Sequence, residues 1–163
     1  MKVYKDVFNG DDLLSDSFPI KEDGVCYVVE GKHVTRSAIG TADFGGVDEG
    51  EDAGEAESDT VTVLNVVDAH GLVETMYDKK SYLNHIKAYL KRVAASLPAD
   101  KRASWDQQAQ EWAKTVLADL DSYRFFTGAS TDPEAMTVLM KTGEDGKTPF
   151  LYYFRQGLQA EVR

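Results

Sequence analysis

Between Ser37 and Asp78 the chain carries no lysine or arginine, yet eleven aspartates and glutamates fall in that span. The next block reverses the sign. From Lys79 to Arg102, Lys79, Lys80, Lys87, Lys91, Arg92, Lys101 and Arg102 face a single anion, Asp100, for a net of +6. Within the acidic block, residues 40–60 hold five glycines and no apolar period of 2 or 3.6. Repulsion between carboxylates about 7 Å apart costs about 0.6 kcal/mol per pair in water, and glycine adds backbone entropy, so together they oppose packing. Residues 40–60 therefore read as a mobile acidic loop, an excursion from one domain that spans residues 1–163. A chain of 163 residues buries about 70% of its unfolded surface, and 42% hydrophobic residues supply a core. The overall charge of −10 repels phosphate backbones, which argues against nucleic acid as the main partner. The opening residues, Met1 to Asp6, lack an apolar signal core, no run approaches eighteen apolar residues, and Cys26 is the sole cysteine. The expected compartment is the cytosol, with no membrane span and no intrachain disulfide.

On either side of the loop the chain has β character. The run Val25 to Arg36 follows the turn signal Glu22-Asp23-Gly24 and predicts one long strand; Val61 to Asp68 restarts the pattern. Arg36 and Val61 are thus expected on neighbouring strands. Two helices follow, within residues 78–121. Tyr82, Ile86, Tyr89, Leu90, Val93 and Leu97 share one face, with Asp78 or Ser81 as the cap and Pro98 as the stop. Trp105, Ala109, Trp112, Ala113, Val116, Leu117 and Leu120 repeat the stripe, and the short link predicts an antiparallel αα-hairpin. Strands are then expected over 124–127, 135–141 and 148–156, the last two joined by a turn at Gly143-Glu144-Asp145-Gly146. Strand runs interrupted by a helical hairpin indicate an α+β fold with a mostly antiparallel sheet.

Few residues suggest chemistry. Gly146-Lys147-Thr148 lacks the glycine that a phosphate loop needs at Lys141, and Pro149 blocks the following helix, so it reads as a hairpin turn. His33, His70 and His85 have no second ligand at zinc spacing, and Cys26 sits in an apolar β run as a core residue. No enzyme motif is present in the sequence. The clustered carboxylates could supply hard oxygens to Ca²⁺, but the EF-hand frame from Asp48 meets Ala53 where glycine belongs and Asp59 where glutamate belongs. That leaves weak calcium binding, about 10⁻⁴–10⁻³ M, beside a plainly solvated loop. The basic block reads either as a solvated helix face or as a docking surface for an acidic partner such as a tubulin tail.

Several ordered segments carry a family resemblance: Tyr4-Lys5-Asp6 with Asp11 and Ser15-Asp16, Asp23-Gly24 to Glu30-Gly31-Lys32, Phe44-Gly45-Gly46, and Glu144-Asp145-Gly146-Lys147-Thr148-Pro149 to Gly157-Leu158. Their collinearity over the whole chain resembles the translationally controlled tumour protein family. The resemblance implies a β-tent similar to Rab exchange-factor folds, a projecting αα-hairpin, and a non-enzymatic cytoplasmic protein that binds calcium and microtubules. It further implies links to growth control through Ras-like small GTPases, to apoptosis regulators and cell survival, and to histamine release after non-classical secretion. The residues it points to are Asp11 and Asp12 for a GTPase, Lys79, Lys80, Lys87, Lys91 and Arg92 for tubulin, and Asp48, Glu49, Glu51 and Asp52 for weak calcium binding. An alternative role is that of a guanine-nucleotide exchange cofactor for a Ras-like GTPase. The sequence departs from the family pattern in three places. Val47 to Glu51 lacks the family's Asn and Ser, Ala129 replaces an acidic residue of the GTPase-facing surface, and Asp12 replaces Glu.

Overall fold

The computed structural model describes residues 1–37 and 60–162. Three antiparallel sheets are built from β1 (Lys2–Asp6), β2 (Asp12–Ser15), β3 (Ile20–Asp23), β4 (Cys26–Glu30), β5 (His33–Ser37), β6 (Thr60–Leu64), β7 (Val73–Thr75), β8 (Tyr123–Thr127), β9 (Val138–Thr142), β10 (Pro149–Phe154) and β11 (Leu158–Val162). Their orders are β11-β1-β2, β3-β4-β10-β9-β8-β7 and β5-β6. The helices are α1 (Asn65–His70), α2 (Lys79–Ser96) and α3 (Ala99–Ala118). The expected α+β class and antiparallel pairing are both present, and Arg36 lies directly opposite Val61 in the β5–β6 ladder. No described helix is long and apolar enough to cross a membrane.

Four expected strands are shorter than their β propensity suggests, among them 135–141, which begins only at Val138. The run 25–36 divides at Gly31, whose N–H donates to the Pro149 carbonyl at 2.8 Å. A Cβ at Gly31 would stand 3.2 Å from Leu151 Cδ1 and 3.3 Å from Asn65 Oδ1, so glycine lets the chain pass closely as it leaves the large sheet. The run 61–68 stops at Leu64 because Asn65 competes for the backbone: its Oδ1 accepts from Lys32 N at 2.9 Å and Val66 N at 2.8 Å. One helical turn and a half follows, closed by Gly71 in the left-handed region. Near the C-terminus the expected strand 148–156 ends at Phe154, and Arg155–Gly157 form a 3₁₀ turn.

The hairpin follows from its apolar spacing. Tyr82, Ile86, Tyr89, Leu90 and Val93 are buried along α2, as are Trp105, Ala109, Ala113 and Val116 along α3. Asp78 and Ser81 act together at the start of α2 in a capping box. Arg102 donates to the carbonyls of Ala94 and Leu97, and Trp105 Nε1 to that of Leu90, which sets the two helices antiparallel. The hairpin lies on one face of the six-stranded sheet, where Trp105 and Trp112 meet the Phe154 ring edge-on at 5.6 and 5.1 Å. On the opposite face of β10, Leu151 and Tyr153 are fully buried, and the Tyr153 hydroxyl donates to the Leu13 carbonyl of the small sheet at 3.1 Å. Each such apolar side chain contributes about 1.5–3 kcal/mol, so β10 is held from both sides.

Candidate docking surfaces

Helix α2 contains no carboxylate between Lys79 and Ser96. Its buried stripe turns Lys79, Lys80, Lys87 and Lys91 outward, and all four are exposed. None of them forms an ion pair among the described residues. Lys87 and Lys91 edge a groove of about 430 Å³ between α2 and α3, together with Leu83, Ile86, Leu90, Asp106, Gln110, Ala113, Lys114 and Leu117. Sequence reasoning grouped the α2 cations and missed Lys114 and the leucine walls, because only antiparallel packing brings α3 beside them. Arg92 is set apart from the four lysines. Its guanidinium lies 4.0 Å above the Phe8 ring, and Nη1 donates to the Glu134 carbonyl at 2.9 Å.

Arg92 thereby joins a second cluster, formed by the β1–β2 loop and the turn after β8. Asp11 accepts from the Ser130 backbone N–H at 3.1 Å and from the Ser130 hydroxyl. A Cβ on Gly128 would overlap the Asp11 carboxylate, so the close approach depends on glycine there. Beneath it lies buried Asp6, whose two oxygens accept from Phe8 N and Met136 N, each at 2.9 Å. Burial pushes the Asp6 carboxyl up, and these two hydrogen bonds oppose the shift. His85 of α2 ties in the same turn, with Nδ1 3.1 Å from the Pro133 carbonyl and Nε2 3.0 Å from Thr137 Oγ1. A carbonyl can only accept, so Nδ1 carries the proton and Nε2 accepts from the threonine. Burial holds His85 below the ordinary histidine range. Asp12 opens β2, half-buried, and its charge opposes the lowering that burial imposes on His70. His85 and Ser130 carry no motif; only the fold brings them to this cluster, Ser130 onto Asp11 and His85 onto Pro133 and Thr137.

A family model described as translationally controlled tumour protein matches residues 1–159. The chain belongs to that family. The tumour protein homologue of Schizosaccharomyces pombe is 40% identical over 166 residues, with 99% of each chain covered. That of Mus musculus is 37% identical over 170 residues, again with 99% of each covered. The solved structure of the S. pombe tumour-associated protein superposes with a TM-score of 0.85, covering 100% of both chains at 40% identity. The solution structure from Caenorhabditis elegans gives 0.70 at 28% identity, covering 100% of this chain and 99% of that one.

As a member of the translationally controlled tumour protein family, the chain has three expected features to place. The calcium ligands Asp48, Glu49, Glu51 and Asp52 lie outside the described residues, as do residues 40–59 of the expected loop, whereas Thr60, its expected last residue, opens β6. Among the described residues no three His, Cys, Asp or Glu side chains gather to hold a metal. Ala129, where the family pattern has an acid, is exposed next to the Asp11–Ser130 contact. Cys26 is buried, and burial pushes its thiol far above the usual range, which leaves it a packing residue.

Proposed function

We propose that this protein is a non-enzymatic cytoplasmic regulatory protein that works by docking, with the helical hairpin as its principal surface for acidic segments such as tubulin tails. The observation that carries this reading is the set of four exposed lysines, Lys79, Lys80, Lys87 and Lys91, on a helix with no carboxylate of its own. Surface cations attract an acidic chain at long range, and ordering these four breaks no ion pair among the described residues. Microtubule co-sedimentation tests it. Lys87→Glu with Lys91→Glu should remove most of the pelleted protein at low salt, and unchanged pelleting refutes the assignment. Growth control and cell survival would follow from such contacts, and weak calcium binding by Asp48, Glu49, Glu51 and Asp52 would add a second ligand. Calcium titration watched by amide NMR should shift those four residues first.

A second reading is favoured by the way the loop carrying Asp11 and Asp12 meets the 128–131 turn, forming one continuous surface. This is an exchange cofactor for a Ras-like small GTPase. Asp11 accepts twice from Ser130, which fixes the loop against that turn. Faster nucleotide release from such a GTPase at stoichiometric protein supports exchange, and an unchanged rate rejects it.

A further inference from the structure

We infer that the groove between α2 and α3 receives an amphipathic helix with acidic flanks, supplied by a partner protein. This rests on the docking role given above to the hairpin and adds the apolar half of the recognition. Leu83 and Leu117 stand half-buried in the groove walls, over a floor that includes buried Ile86 and Leu90. Leu83 and Leu90 are seven residues apart, so the apolar strip runs roughly 10 Å, two helical turns. A purely acidic tail would pair with the lysines and leave this strip wet. An occupant that buries apolar side chains there gains the hydrophobic contribution as well.

The charges fix the rest of the occupant. Lys87 and Lys91 on one helix and Lys114 on the other line the groove, against the single carboxylate of Asp106. The guest therefore carries acids on both sides of an apolar face. Its backbone must be helical, because both walls are helices whose N–H and C=O groups are already paired within themselves and offer no edge to an extended strand. Apolar anchors at i, i+3 or i+4, and i+7 along one helix face then match the strip.

Fluorescence anisotropy with two synthetic peptides of equal charge tests this. One has leucines at i, i+3 and i+7 with glutamates on the flanks; in the other, glutamine replaces each leucine. The leucine peptide should bind the full chain at least tenfold more tightly. Gln110→Trp, an exposed position whose new ring fills the groove, should abolish that preference, and Leu117→Ser should reduce it, with far-UV circular dichroism confirming that both variants fold. Equal affinities for the two peptides, both weakened by Lys87→Glu with Lys91→Glu, would overturn the inference and leave the docking reading standing. A leucine peptide whose tighter binding ignores Gln110→Trp binds elsewhere, which also overturns it. Charge reversal that alters neither peptide binding nor microtubule pelleting would bring down both.

Discussion

Two side chains under the hairpin show how much depends on single atoms. The Tyr89 hydroxyl is buried without a hydrogen-bond partner among the described residues, and a Cβ on Gly157 would overlap it and stand 2.6 Å from Met136 Cε. Gly157→Ala should therefore destabilise the protein by about 1–3 kcal/mol, as overpacking does. Tyr89→Phe removes an unpaired polar atom, so it should cost little by itself and recover part of the loss in the double variant. Urea midpoints for the four proteins complete the cycle; strict additivity would show that the two atoms do not meet. His85 supplies the pH dependence. Its folded-state pKa lies below the unfolded value near 6.5, so its contribution is present above that value and lost as pH falls through the lower folded one. His70 has the same sign, also through burial. Buried Asp6, its carboxyl pushed up by burial, has the opposite sign: its contribution is present below the ordinary carboxylate value and lost as pH rises through the higher folded one. Lowering the pH from 7 to 5 should therefore cost the parent protein more stability than it costs His85→Gln; equal slopes would remove His85 from the account.

At the level of elements, periodicity made the hairpin legible while the N-terminal strands went unread. Tyr82, Ile86, Tyr89, Leu90 and Val93 repeat at helical spacing because one face of α2 meets a sheet, so the sequence displays the face directly. Lys2–Asp6 and Leu158–Val162 pair with each other across the whole chain, and their mostly polar residues display no comparable period. The break at Gly31 and the helix at Asn65 arise from contacts with Pro149 and Lys32, which no local window contains. The candidate surfaces divide in the same way. The lysines of α2 are legible as a charge run, whereas Lys114 and the Asp11–Ser130 contact are products of packing. Arg92 has a second role that the charge run hides. Because its guanidinium stacks on Phe8 and caps the Glu134 carbonyl, Arg92→Ala should lower stability by about 1 kcal/mol, measured by thermal melting. Lys87→Ala should leave the melting temperature unchanged, which separates a cation that holds the fold from one offered to a partner.

Across the whole molecule, the division of charge seen first in the sequence becomes a division of labour. A sheet-built body with both faces of β10 covered holds a hairpin whose outer helix face is basic, while the chain as a whole carries −10. An electrostatic partner must then find a local positive surface against a repulsive background, which makes association sensitive to screening. The most direct test is the dependence of microtubule affinity on ionic strength. Dissociation constants for the intact protein should rise steeply between about 50 and 200 mM salt, and the slope should flatten in Lys79→Ala with Lys80→Ala, where two cations are gone. An affinity that stays constant over that range, or a slope identical in the variant, would contradict a docking surface made of the α2 lysines.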